Sequence, residues 1–200
     1  MVAERKTEER LMTEAEYLAF EERSRERHEF VDGVLRLMSG TTGAHNDIAQ
    51  NFVLKLAPIA RKKKCRTRIE AVKLRLPHSP SNRYYYPDFM VVCGPESDDP
   101  SIEENPCMVV EVLSKSTTHV DRGEKFEVYL RTPSLERYVL VHQTSRTVEV
   151  YERAVDSWTY RLLEETGTFD VPCIGARMTL EDVFNGVTFP KPKRRKSKKG

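Results

Sequence analysis

The sequence predicts a single α/β (α+β) domain built on a mixed central sheet flanked by helices. Three observations predict it. Two short apolar runs, FMVVC at residues 89–93 and CMVVEVL at 107–113, are β-branched and unalternating, as expected of central strands covered on both faces. Stretches with helical spacing stand before and after them. Hairpin signals lie towards both ends of the chain. A length of 200 residues fits one domain with tails and is enough to bury a core.

The elements follow in order. Residues 13–27 read as a first helix, since Thr13 and Glu16 have capping-box spacing and Tyr17, Leu18 and Phe20 supply apolar positions. Asp32-Gly33, between Phe30-Val31 and Val34-Leu35, is a hairpin turn. Residues 45–63 turn helical, with Ile48, Phe52, Leu56 and Ile59 on one face. Pro58 is expected to kink that helix or end it early. Residues 66–77, RTRIEAVKLRLP, alternate and read as a strand with one wet face. The acid- and proline-rich stretch 95–106 is a loop. Residues 121–130 form a helix that Thr132-Pro133 stops, with Lys125, Val128 and Tyr129 near helical spacing. RYVLVHQ, TVEVYERA and WTYRLLEE read as strands, and MTLEDVF as a short helix. Trp158, Tyr151 and Tyr160 suit hairpin packing better than base stacking.

Composition narrows the class. The chain is 38% hydrophobic and 32% charged, a soluble globular balance. No apolar run approaches the roughly 20 residues of a membrane span, and the charged start, MVAERKTEER, lacks a signal peptide's apolar segment. A cytoplasmic location without membrane contact is expected by default. Cys65, Cys93, Cys107 and Cys173 form no CxxC pair and have no metal-spaced histidine, so a zinc site is not expected. Cys93 and Cys107 read as buried free thiols. The net charge is +2, but the last ten residues alone carry +7, leaving −5 for the rest. The expected organisation is a tail at 1–11, a folded domain at 12–189 and a disordered basic tail at 190–200. Lys193, Arg194, Arg195 and Lys196 in that tail are candidates for phosphate contacts, against a merely solubilising role.

One feature carries chemistry. Glu111 lies inside the most apolar stretch of the chain, where a carboxylate is costly unless paired or coordinated. Asp88 stands at the mouth of the neighbouring apolar strand, just after Pro87. Two central strands each offering one carboxylate make a hard-oxygen site suited to Mg²⁺. The plainer alternative is an internal salt bridge to a buried lysine or arginine.

The ordered segments YYYPDFMVV, MVVEVLSKST, DRGEKFEVY and ERYVLV resemble the Uma2 family of restriction endonuclease-like proteins, within the PD-(D/E)XK phosphodiesterase superfamily. The resemblance extends upstream to RHEFVDGVLRLMSGTTGAHNDIAQNF and downstream to TVEVYE, covering roughly residues 12–188. It implies a restriction-endonuclease-like core. It matches Asp88 to the aspartate of the PD motif and Glu111 to the acid of the ExK motif. The usual lysine two residues on is replaced by Leu113. The resemblance instead implies Lys125 on the following helix, with Lys115 as a rival by proximity. It also implies Glu29 as an upstream acid completing the metal shell and His45 as an auxiliary residue. Ser114, Thr117 and Asp121 are read as orienting the intervening loop, and His142 as structural.

The implied activity is Mg²⁺- or Mn²⁺-dependent hydrolysis of phosphodiester bonds by an endodeoxyribonuclease, with Asp88, Glu111 and Lys125 as its catalytic residues. The implied partner is nucleic acid, DNA first, and the fold also allows a homodimer. Two alternatives stand beside it: an inactive nuclease fold that only binds nucleic acid, favoured by Leu113, and a structural or oligomer-forming protein whose acids only make salt bridges.

Overall fold

The computed structural model describes residues 11–38, 40–78, 81–114 and 118–189. The basic tail, Lys115 and Thr117 lie outside the described residues, and the expectations placed on them end there.

The chain opens with α1 (Glu14–Glu21), where Thr13 and Glu16 form the capping box that their spacing predicts. This helix stops six residues before the sequence-based boundary. The hairpin follows: β1 (His28–Val31) and β2 (Val34–Leu37) pair antiparallel across Asp32 and Gly33. Both turn residues have positive φ, 51° and 86°, the conformation that an Asp-Gly hairpin turn requires. At Gly33 an added Cβ would lie 2.7 Å from Cβ of Leu11, so both backbone and space demand glycine there. Next, α2 (Gly43–Lys62) runs uninterrupted through Pro58. Pro58 and Leu54, one turn earlier, are both exposed, which keeps the proline ring on the solvent side, where a missing helical bond is least damaging.

The stretch 66–77 is not one strand. It divides into β3 (Arg66–Arg68) and β4 (Lys73–Leu76), which join different sheets. Then come β5 (Arg83–Tyr85), β6 (Phe89–Val92), the two-residue β7 (Ile102–Glu103) and β8 (Pro106–Leu113). The helix expected over 121–130 is two helices, α3 (Thr118–Arg122) and α4 (Glu124–Arg131), parted at Gly123. A meander of β9 (Arg137–His142), β10 (Thr147–Arg153) and β11 (Trp158–Glu164) leads to a small hairpin, β12 (Thr168–Val171) and β13 (Ala176–Thr179), and to α5 (Leu180–Val183).

The central sheet has six strands in the order β11-β10-β9-β8-β6-β3, and a second has five in the order β2-β1-β5-β4-β7. In the central sheet only β8 and β9 pair parallel, joined by the α3–α4 crossover that a parallel pair requires. This is the mixed sheet with flanking helices that the sequence predicts. Every residue of β6 and β8 is buried. Successive side chains go to opposite faces. Met108, Val110 and Val112 face α2, packing with Ile48, Phe52 and Leu56. Val109 and Leu113 face α4 and the second sheet. At roughly 25 cal/mol per Å² of apolar surface, each fully buried side chain in these layers contributes about 1.5–3 kcal/mol before conformational entropy is counted.

The cysteines depart from expectation. Cys65 is bonded to Cys93 and Cys107 to Cys173, so none of the four is free. Cys107 is buried as expected but Cys93 is exposed. The reason is register: Arg66 pairs with Val92, so the next step outward sets Cys65 against Cys93, with Cα atoms 4.2 Å apart.

Candidate active site

Alternation along β8 decides where Glu111 goes. It shares the face of Val109 and Leu113, so its carboxylate points at α4 and the second sheet. Phe89 pairs with Val110, and one step further along the antiparallel ladder Asp88 stands across from Glu111. Asp88 Oδ2 accepts a 2.6 Å hydrogen bond from the Val112 amide, which ties the mouth of β6 to β8. On β1, Val31 packs into the core between the sheets, and Glu29, two residues earlier, points the same way. On α4, Lys125, Val128 and Tyr129 form the buried face.

These placements bring four elements to one point. Lys125 Nζ lies 2.8 Å from Glu29 Oε1, 3.1 Å from Glu111 Oε1 and 3.4 Å from Asp121 Oδ1. Tyr129 donates its hydroxyl to Glu111 Oε1 at 3.0 Å, and the Tyr85 ring faces the ammonium at 5.5 Å. His45, in the first turn of α2, places Nε2 3.1 Å from Asp88 Oδ2. Its Nδ1 is buried with no hydrogen-bond partner and looks towards Glu70 Oε1, 3.9 Å away. Glu29, Asp88, Glu111, Asp121, Lys125 and His45 are all buried, yet all six line one cavity of about 280 Å³.

Charge is out of balance here. Four buried carboxyls share one lysine and one histidine. Burial pushes the Glu111 carboxyl well above the ordinary carboxylate range; Lys125 pulls it back, while Asp121, Asp88 and Glu29 push it further up. Burial works against the Lys125 ammonium, but Glu111, Glu29 and Asp121 outweigh it and hold the lysine firmly protonated. The His45 imidazole is raised despite its burial, by Asp88 first. A cluster that cannot ionise all its acids unaided is short of positive charge. Its donors are carboxylate oxygens with one imidazole, which fit a hard divalent cation such as Mg²⁺ or Mn²⁺. Among the described residues, His45, Glu70 and Asp88 form the one group of imidazole and carboxylate ligand atoms that all lie within 4.8 Å of one another, whereas Glu29 and Glu111 close on the Lys125 ammonium.

The chain matches the family model Uma2, described as "Putative restriction endonuclease", over residues 14–181. It belongs to the Uma2 family. Among relatives, it is 31% identical over 176 residues to the uncharacterized protein slr1290 of Synechocystis sp., covering 87% of this chain and 92% of that one. It is 33% identical over 150 residues to the uncharacterized protein sll1609 of the same organism, covering 74% and 84%. In fold it resembles a crystal structure titled as "a putative nuclease belonging to DUF820" from Anabaena variabilis, with a TM-score of 0.71 at 16% identity, covering 88% of this chain and 99% of that one. That likeness shows a shared fold.

Asp88, Glu111, Lys125, Glu29 and His45, each predicted from sequence, therefore meet in one cavity of this Uma2 fold. Asp121, predicted only to orient a loop, stands inside the acid cluster. Glu70 was missed, lying in a stretch whose alternating charges look like an ordinary wet strand face. His142 stays outside the cavity and bonds Glu149 at 2.8 Å.

Proposed function

We propose that this Uma2 protein is a metal-dependent nuclease hydrolysing phosphodiester bonds of DNA, with its site on Asp88, Glu111 and Lys125. The observation that carries the reading is the convergence of two strand carboxylates and a helix lysine in one buried, acid-rich cavity. Asp88 and Glu111, joined by Glu29, would hold Mg²⁺ or Mn²⁺. Such an ion supplies Lewis-acid charge to a phosphodiester and acidifies water beside it. Lys125 would orient or deprotonate that water, or neutralise charge growing on the phosphate. Its position on α4 makes up for Leu113, because a helix packed over β8 returns an ammonium to the acid from outside the strand. Asp121 and Tyr129 fix the ammonium and the Glu111 carboxylate in place. His45 orients Asp88.

The test is cleavage of supercoiled plasmid with Mg²⁺, with Mn²⁺ and with EDTA, beside Asp88→Ala and Glu111→Ala. Nicking or linearisation that needs metal and disappears in both variants is expected. Intact plasmid in every condition, with folded wild-type protein, would overturn the assignment for duplex DNA. Cleavage persisting in the variants would move the site elsewhere.

A further inference from the structure

We propose that Cys65, Cys93, Cys107 and Cys173, once reduced, form a tetrathiolate zinc site at the end of the central sheet remote from the acid cluster. This does not depend on the nuclease reading.

The four residues come from four separate segments: the turn after α2, the end of β6, the start of β8 and the 3-10 turn Pro172–Ile174. The sulfurs of Cys93 and Cys107, which are not bonded to each other, are 3.7 Å apart. Those of Cys93, Cys107 and Cys173 all lie within 4.8 Å of one another. A tetrahedral zinc with Zn–S bonds of about 2.3 Å holds its sulfurs about 3.8 Å apart. The Cys65 sulfur is bonded to Cys93, with Cα atoms 4.2 Å apart; it stands outside that group of three and would join it as the fourth ligand once the bond is opened. Two disulfides serving as independent staples have no need to touch, yet three sulfurs drawn from both of them share one point. The donor set is wholly soft sulfur, which selects zinc over the hard cations suited to the carboxylate cavity. A zinc tetrathiolate carries two negative charges. The basic run Arg61–Lys64 leads straight into Cys65, and Arg66 donates to the Gly94 carbonyl at 3.0 Å, next to Cys93. The run places positive charge beside the sulfurs, while Arg66 is paired with Glu103 at 2.8 Å.

The two arrangements are oxidation states of the same four residues. Reduction of both disulfides takes four electrons and four protons, supplied by two equivalents of a dithiol reductant, and zinc then displaces the four thiol protons. The site would pin together β6 and β8, the strands that carry Asp88 and Glu111 at their other end.

The test uses the full chain, reduced without oxygen and supplied with equimolar zinc, then with cobalt. About one zinc per chain is expected. Four thiols should be shielded from a thiol reagent until a chelator strips the metal, and the cobalt form should show a sulfur-to-cobalt charge-transfer band. Zinc should be lost in Cys93→Ser and kept in Asp88→Ala, which separates this site from the carboxylates. Four freely reactive thiols and no charge-transfer band in folded, reduced wild-type protein would overturn the proposal, as would full zinc retention by Cys93→Ser. Should Cys93→Ser not fold, the wild-type cobalt spectrum and thiol count decide alone.

Discussion

The Lys125 ammonium reaches Glu111 Oε1 at 3.1 Å from an element packed across the strand that carries the acid. It is the principal buried counter-charge for Glu29, Glu111 and Asp121 together. Removing one member of a buried ion pair leaves uncompensated charge and costs about 3–5 kcal/mol. Lys125→Ala should therefore abolish plasmid cleavage and lower the stability of the metal-free protein by that order, as read in urea unfolding. Added Mg²⁺ should recover much of the stability and none of the cleavage. Unchanged unfolding in EDTA would mean that the cluster does not rely on this lysine.

Glu111 is held by the fold at an energetic disadvantage. Its folded-state carboxyl titrates well above the ordinary 4.5, so the protonated form is favoured on folding. The associated stability is fully present below the unfolded value and is lost as pH rises through the folded one. In EDTA the wild type should lose melting temperature as pH climbs above about 4.5, and Glu111→Gln should flatten that slope. The same variant should show no Mg²⁺-induced rise in melting temperature. Parallel wild-type and variant curves would sink the idea that Glu111 ionisation opposes folding.

How much of this could be read beforehand depended on contrast along the chain. Glu111 was legible because it interrupts an apolar strand, and Asp88 because Pro87 and the FMVV run mark where its strand begins. Asp121 lies in DRGEK among other charges, where nothing distinguishes a buried acid from a solvated one. Glu70 hid for a related reason: two short strands in different sheets give the same alternation as one longer strand. The Cys65–Cys93 pairing spans 28 residues and depends on β3 pairing with β6, while the Cys107–Cys173 pairing spans 66 and joins the start of β8 to the 3-10 turn Pro172–Ile174. Strands as short as β7 bury too little to leave a sequence pattern.

Gly123 sets where α4 starts and so where Lys125 points. A Cβ added there would lie 2.9 Å from the His119 carbonyl oxygen, a backbone atom that cannot swing away. Gly123→Ala should force α3 and α4 apart and displace Lys125, two residues on. Misplacement by about 1 Å can lower turnover by roughly a hundredfold. The expected result is a large fall in cleavage rate, while Mg²⁺ binding through Asp88 and Glu111 weakens far less. Wild-type turnover in this variant would show that the α3–α4 break is incidental.

Asp182 offers a pH test far from the cavity. Its carboxylate closes the capping box of α5 with Thr179 and pairs with Lys55 Nζ at 2.9 Å. Burial works to raise its titration, but Lys55 and the Thr179 hydrogen bonds prevail and hold it below the ordinary 3.8. A lowered folded value means stability that is present above the unfolded value and is lost as pH falls through the folded one. Asp182→Ala keeps the Thr179 N-cap but loses the carboxylate's bonds to Thr179 and its pairing with Lys55, about 1 kcal/mol together, which in a chain of this size is roughly 2–4 °C of melting temperature. Asp182→Ala should therefore melt a few degrees below wild type at pH 7. The gap should close as both proteins are taken below about pH 3.8. A gap that persists undiminished in acid would assign the effect to lost packing rather than to the charged cap.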